Sequence, residues 1–274
     1  NPAPEHHGIK FRRVDIEGQP VVEARVENVV DTSRGTTIAQ NGVRVYTVEH
    51  ILASVRGAGI DNILIDINCE EPPIQDGSAK NMIETLKSAG IVEQNAEREY
   101  LRIDKEVKYI NEKIGAEITI VPANDFRMEV SVDYNSNVLK PQTAVLEDMS
   151  DFEKEIAPCR TFVFFHELEM LLKYNLIKGG DLSTAIVFVE GCVGEEELQR
   201  VAKLFNKESV GVHEGGILNN TNLHFENEPA RHKLLDLIGD MTLLGKPILG
   251  HVKAFKPGHL ANTEFVKLIL ENID

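Results

Sequence analysis

The chain has 274 residues, 42% of them hydrophobic, which is enough for one large or two ordinary cores. Its formal charge of -15, from 29 Lys and Arg against 44 Asp and Glu, excludes a general nucleic-acid binder, which needs a basic face to neutralise phosphates. Cys69, Cys159 and Cys192 are widely spaced and form no CxxC pair, so neither a disulfide framework nor a thiolate zinc site is expected; with no apolar run near the roughly 20 residues of a membrane span and no signal peptide, the expected compartment is the cytoplasm.

The chain begins "NPAPEHHGIKFRRVDI" without an initiator methionine, and N-terminal residues are expected to be missing. In "IAQNGVRVYTV", Asn41-Gly42 between two alternating segments is a strong hairpin signal. Helical spacing runs from Val48 to Ala58 and stops at Gly59, and Asn62 to Asn68 alternates as a strand. A proline-rich loop, "EEPPIQDGSA", leads to a second helix from about Ser78 to Ala89, closed by Gly90. The polar stretch from Glu93 to Glu99 is the best boundary, dividing a first domain at 1–96 from a second at 97–274.

Beyond it the pattern predicts strands in "YLRIDKEVKYI", "AEITIVPA" and "FRMEVSVDY", a helix near Asp151, a strand in "RTFVF", a helix from His166 to Tyr174 and a strand in "STAIVFVE". Residues 191–227 read as an insert, a helix in "GEEELQRVAKLF" and a hairpin tipped by Gly215-Gly216. A long helix from Pro229 to Leu244, a strand "ILGHVKAF" and a helix after His259 complete the series. The expected class is α+β, as two related domains in which two helices pack against β-sheets.

The helix in "EPARHKLLDLIGD" carries the chemistry. On a 3.6-residue period His232, Asp236 and Asp240 rise along one face, while Leu234, Leu237, Ile238, Met241 and Leu244 fill the rest. An imidazole and a carboxylate four residues apart can share a divalent cation, and the third ligand must come from elsewhere. His50, next to Glu49 in an otherwise apolar helix, is the candidate, because a buried ionisable pair needs compensation. His50, His232 and Asp236 would leave a fourth position open, as in a catalytic zinc site, with Glu49 placed to take a proton from the attacking water. A salt-linked surface face explains the same spacing.

His259 stands after the Pro257-Gly258 turn at the mouth of the last helix; it reads either as a charged partner to an oxyanion or leaving amine, held by Asp240, or as a capping surface residue. Lys233 and Lys256 can offset phosphate charge or simply meet solvent. Thr161 can bond an oxyanion, and Phe162 and Phe164, on the same stretch, read equally as core. The remaining histidines, and Cys192, need no special role. "KGGDLS" reads by default as a turn.

Taken together, "TVEHILASVRGAGIDN", "PPIQDGSA", "RTFVF", "EPARHKLLDLIGD" and "KPGHLANTEF" resemble, in order and over most of the chain, the zinc-dependent UDP-3-O-acyl-N-acetylglucosamine deacetylases of lipid A biosynthesis. The resemblance implies hydrolysis of the N-acetyl amide of a UDP-linked acylated glucosamine, with His50, His232 and Asp236 as zinc ligands and ferrous iron as the alternative ion. It further implies Glu49 as base, His259 as acid or electrostatic partner oriented by Asp240, and Thr161 and Lys233 as stabilisers of the intermediate. Lys256 would lie near the substrate diphosphate, and the insert would help form a passage for the acyl chain, beside Phe162 and Phe164. The family's first strands and glycine-rich turn are missing before Asn1, Gln75 replaces a usual methionine, and Asp181 a usual serine. The variant also resembles the subgroup fused to a downstream hydroxyacyl carrier-protein dehydratase.

Overall fold

The computed structural model describes residues 1–173, 182, 184–213, 215–218 and 222–273. It opens with strands β1 (Ile9–Arg13), β2 (Val21–Glu23), β3 (Val29–Asp31), β4 (Thr37–Gln40) and β5 (Val43–Val45), then helix α1 (Glu49–Gly57), strand β6 (Ile63–Ile67) and helix α2 (Lys80–Ser88). Next come β7 (Leu101–Arg102), β8 (Val107–Asn111), β9 (Ala116–Val121), β10 (Phe126–Val132) and β11 (Gln142–Leu146), followed by α3 (Phe152–Glu155), β12 (Phe162–Phe164) and α4 (Phe165–Lys173). The last elements are β13 (Ile186–Phe188), α5 (Glu195–Leu204), β14 (Val212–His213), β15 (Ile217–Leu218), α6 (Glu228–Thr242), β16 (Ile248–Phe255) and α7 (His259–Glu271). The predicted turn in "KGGDLS", with Asp181, lies mostly outside the described residues, as does the predicted helix end at Tyr174.

The fold is α+β. In the first part β1 pairs antiparallel with β2 and parallel with β6, while β3, β4 and β5 form an antiparallel sheet. Asn41 (φ 52°) and Gly42 (φ 80°) form the tight connection between β4 and β5, so that Gln40 faces Val43 as the dipeptide predicts. In the second part β16 is central: it runs parallel to β10 and antiparallel to β9, and its start pairs with β7. Edge strands β11 and β8 complete that sheet. A separate sheet, in the order β12-β13-β15-β14, joins two strands that precede the predicted insert, β12 and β13, to two within it, β14 and β15.

Alternation decides which faces meet. Ala116, Ile118 and Ile120 of β9 and Met128, Val130 and Val132 of β10 are buried, and α7 and α6 pack over these strands. Helix α6 is buried along nearly its whole length because α1 covers its other side. The two come very close at Gly239, where a Cβ would stand 2.1 Å from the Glu49 carbonyl oxygen. One continuous apolar core, including Phe11, Leu52, Ile83, Ile118, Met128, Phe152 and Phe265, runs through both parts. Leu139, Phe164, Ile186 and Phe188 form a smaller cluster around strands β12 and β13 of that separate sheet. No helix among the described residues is long and apolar enough to cross a membrane.

Candidate metal centre

The α1 and α6 contact brings the separated polar residues together. Leu52, Ala53 and Val55 bury one side of α1, and the helix begins with Glu49 and His50, 2% and 4% exposed. On α6 the apolar residues hold His232, Asp236 and Asp240 in the interior, all 2% exposed or less. One ligand atom from each of His50, His232 and Asp236 lies within 4.8 Å of the others. The two imidazole rings meet edge to face, with centroids 5.0 Å apart.

The donor chemistry fits a cation. The His232 Nδ1–H donates to the Cys159 carbonyl at 3.0 Å, so Nε2 carries the free lone pair. That Nε2 is 3.4 Å from Asp236 Oδ1, and His50 Nε2 is 3.5 Å from the same oxygen. Asp236 Oδ1 and His50 Nδ1 are buried without a hydrogen-bond partner among the described residues. A carboxylate oxygen left unpaired between two imidazole nitrogens is unfavourable in the interior, and a divalent ion among them removes the penalty. Burial lowers the His232 pKa to about 4 against the opposing pull of Asp236. Asp236 stays well below the usual carboxylate range because His232 and Lys233 outweigh its burial. Both groups therefore stand at neutral pH in the protonation states that bind metal.

Two further groups flank the triad. Burial raises the Glu49 pKa, opposed by His259 and His50, and its Oε2 accepts the Thr36 amide N–H at 2.8 Å. His259, at the first turn of α7, donates from Nδ1 to Asp240 Oδ2 at 3.1 Å, and its Nε2 lies 4.0 Å from Asp236 Oδ2. Burial opposes its charge, but Glu49 and Asp240 prevail and raise its pKa to about 9. A charged imidazole and a carboxyl group with a raised pKa stand beside the three candidate ligand atoms, an arrangement able to donate and accept protons in one reaction.

The other predicted residues lie around this centre to different degrees. Lys233 Nζ donates to Asp236 Oδ2 at 2.8 Å and lies 5.6 Å from the Phe162 ring centroid, so it is not the solvent-facing lysine its type suggests. Thr161 follows Cys159 by two residues; its amide donates to the Gly77 carbonyl at 2.8 Å, joining the "PPIQDGSA" loop to β12. A Cβ on Gly77 would stand 1.9 Å from the Thr184 carbonyl oxygen, so this close approach requires glycine. Phe162 and Phe164 both meet Tyr134 and Phe188 and belong to the smaller cluster around β12 and β13. Lys256 is farther out, 3.9 Å from Asp133.

Sequence reasoning missed Thr36, Asn262 and Glu228. Thr36 contacts the centre because the residue before β4 meets the start of α1, accepting the Val48 amide and donating to Glu49, and nothing in its local spacing signals this. Asn262, one turn after His259, donates to Asp240 Oδ2 at 2.8 Å, and its spacing was legible. Of the histidines set aside, His251 pairs with Asp125 at 2.7 Å, and His166 and His224 approach Glu190 and Glu228 at 3.6 and 3.8 Å.

Fold and site together define an α+β protein in which two histidines and one aspartate could hold a metal ion, flanked by the His259 imidazole and the Glu49 carboxyl group. A family model described as UDP-3-O-acyl N-acetylglycosamine deacetylase matches residues 1–208 and 201–271, and the chain belongs to that family. It is 42% identical over 273 residues to the bifunctional enzyme LpxC/FabZ of Bacteroides thetaiotaomicron, and 43% identical over 272 residues to that of Porphyromonas gingivalis. The alignments cover 100% and 99% of this chain but 59% of each relative, so the chain spans about three fifths of their length. It is also 38% identical over 272 residues to the UDP-3-O-acyl-N-acetylglucosamine deacetylase of Myxococcus xanthus, covering 99% of this chain and 78% of that protein.

Proposed function

We propose that this chain is a metal-dependent deacetylase that hydrolyses the N-acetyl amide of a UDP-linked 3-O-(3-hydroxyacyl)-N-acetylglucosamine, releasing acetate and the free amine for lipid A biosynthesis. The names of its relatives support the substrate, and the buried, unpartnered Asp236 Oδ1 between two imidazoles is the observation that carries the chemistry. His50, His232 and Asp236 would hold the ion, zinc by the donor set, with ferrous iron the alternative. When bound, the ion polarises the amide carbonyl and makes water acidic enough to attack near neutral pH.

The chain's own residues do the rest. Glu49, fixed by the Thr36 amide, accepts the proton of the attacking water. His259, charged at neutral pH and oriented by Asp240, steadies the negative oxygen and supplies the proton that lets the amine leave. Lys233 and Thr161 supply positive charge and a hydroxyl to that oxygen. Lys256 meets the diphosphate, and the acyl chain lies against the cluster containing Phe162 and Phe164. On this reading residues 1–96 and 97–274 are the two domains, 191–227 is the insert, the reaction takes place in the cytoplasm, and a dehydratase domain belongs to the full-length protein.

The test is Glu49→Ala. Metal content should stay at the wild-type stoichiometry while acetate release falls about 10²- to 10⁴-fold, the range a positioned base contributes. A zinc-loaded variant running near the wild-type rate would exclude Glu49 as base.

A further inference from the structure

Thr36 approaches both proton-handling groups of the centre, Glu49 with its amide and His259 with its hydroxyl oxygen. Its amide donates to Glu49 Oε2 at 2.8 Å, and its carbonyl accepts the Val48 amide at 3.1 Å, where α1 begins. Its hydroxyl donates to Asp240 Oδ1 at 2.5 Å. With that proton committed, the lone pairs of Oγ1 face His259 Nδ1, 3.4 Å away. The residue is 0% exposed, so water does not replace these bonds.

Asp240 completes the arrangement. Its Oδ2 accepts from His259 Nδ1 at 3.1 Å and from Asn262 Nδ2 at 2.8 Å, leaving Oδ1 to the Thr36 hydroxyl. Without that hydroxyl, a fully buried carboxylate oxygen would lose its donor, and the carboxylate could rotate away from the imidazole.

We infer that Thr36 is a positioning residue whose hydroxyl, through Asp240, holds the His259 ring at the angle the reaction needs, while its backbone holds Glu49. This rests on the deacetylase reading for its effect on rate. One residue thereby sets the distance between acid and base, and an error in its placement disturbs both. The side chain acts on the His259 half alone, because the Glu49 half is carried by the backbone.

The experiment compares Thr36→Val, which keeps the shape and removes the hydroxyl, with Thr36→Ser, which keeps the hydroxyl. Both are loaded with zinc and assayed for acetate release from the UDP-linked acylated N-acetylglucosamine. Thr36→Val should lower kcat about 10- to 100-fold, the worth of a buried hydrogen bond to a charged group, with KM and zinc stoichiometry unchanged. Thr36→Ser should restore most of the rate. In parallel, the hydrogen-bonded Nδ1–H proton of His259, identified by its loss in His259→Gln, is followed by NMR. It should shift or exchange away in Thr36→Val and persist in Thr36→Ser. A Thr36→Val protein with unchanged kcat and an unchanged Nδ1–H resonance overturns the inference, as does a Thr36→Ser protein as impaired as Thr36→Val. If Thr36→Val no longer melts cooperatively, Thr36→Ala against Thr36→Ser decides by the same two readouts. If the wild-type protein releases no acetate, the deacetylase reading fails, while the NMR comparison still judges the positioning role.

Discussion

Glu228 illustrates how much one buried side chain organises here. Its carboxylate is fully buried at the start of α6 and accepts from Arg160 Nε at 2.9 Å, the Arg160 amide at 3.0 Å and the His224 amide at 2.6 Å. These bonds join α6 to the segment preceding β12, the same segment whose Cys159 carbonyl orients His232. Glu228→Ala should destabilise the fold by about 3–5 kcal/mol in urea titration, because it leaves Arg160 without its carboxylate. The spacing in "EPARH" could not show this, since the cation lies 68 residues away. The triad was more legible: burying His50 beside Glu49 demands a partner, and His232 and Asp236 share a helix face. Their meeting was an expectation that rested on residues far apart in sequence.

At the scale of elements, strongly periodic segments folded as their patterns predicted: α1, α2, α6 and α7, the Asn41-Gly42 hairpin, and the strands from β8 to β10. Strands β1, β2, β3 and β11 were not predicted. β1 reads "IKFRR", with three cations, and the others have three to five residues, too few to show alternation. Its cations are instead taken up by neighbouring carboxylates, as in the two Arg12 bonds to Asp66 at 2.7 Å. The pairing of α1 and α6 governs the centre more than either helix alone. Gly239→Ala would force a methyl group against the Glu49 backbone and push the helices apart. It should cost about 1–3 kcal/mol in thermal or urea unfolding, as overpacking does, and should also weaken zinc binding, measured by competition with a chromogenic chelator.

Across the whole molecule, the joined core makes metal binding and folding one problem. His50, His232 and Asp236, from two distant segments, are brought together only in the folded chain, so on the proposed reading an ion held by them adds stability by mass action. Chelation should lower the melting temperature, zinc should restore it, and His232→Ala should abolish the difference. Stability should also fall in acid. The Asp15, Glu23, Asp66, Glu99 and Glu155 carboxylates sit below their usual pKa values because of hydrogen bonds from Arg13, Lys10, Arg12, Lys246 and, for Glu155, Lys154 with Arg231. Between the folded and unfolded pKa values the unfolded chain binds more protons, so this stabilisation is complete above about pH 5 and is lost as pH falls through the folded values. These carboxylates are largely exposed, so each contributes little and the loss should be gradual in melts from pH 6 to pH 2.5. What the sequence by itself determined was local: where helices begin and end, which faces are apolar, and which residue types can hold a cation, because these follow from short-range periodicity and side-chain chemistry. Only the tertiary structure decided that Thr36 spans Glu49 and Asp240, that Cys159 orients His232 and that Gly239 lets the helices touch. Those contacts join residues that no local pattern relates, and they exist only once the sheets have packed around the helix pair.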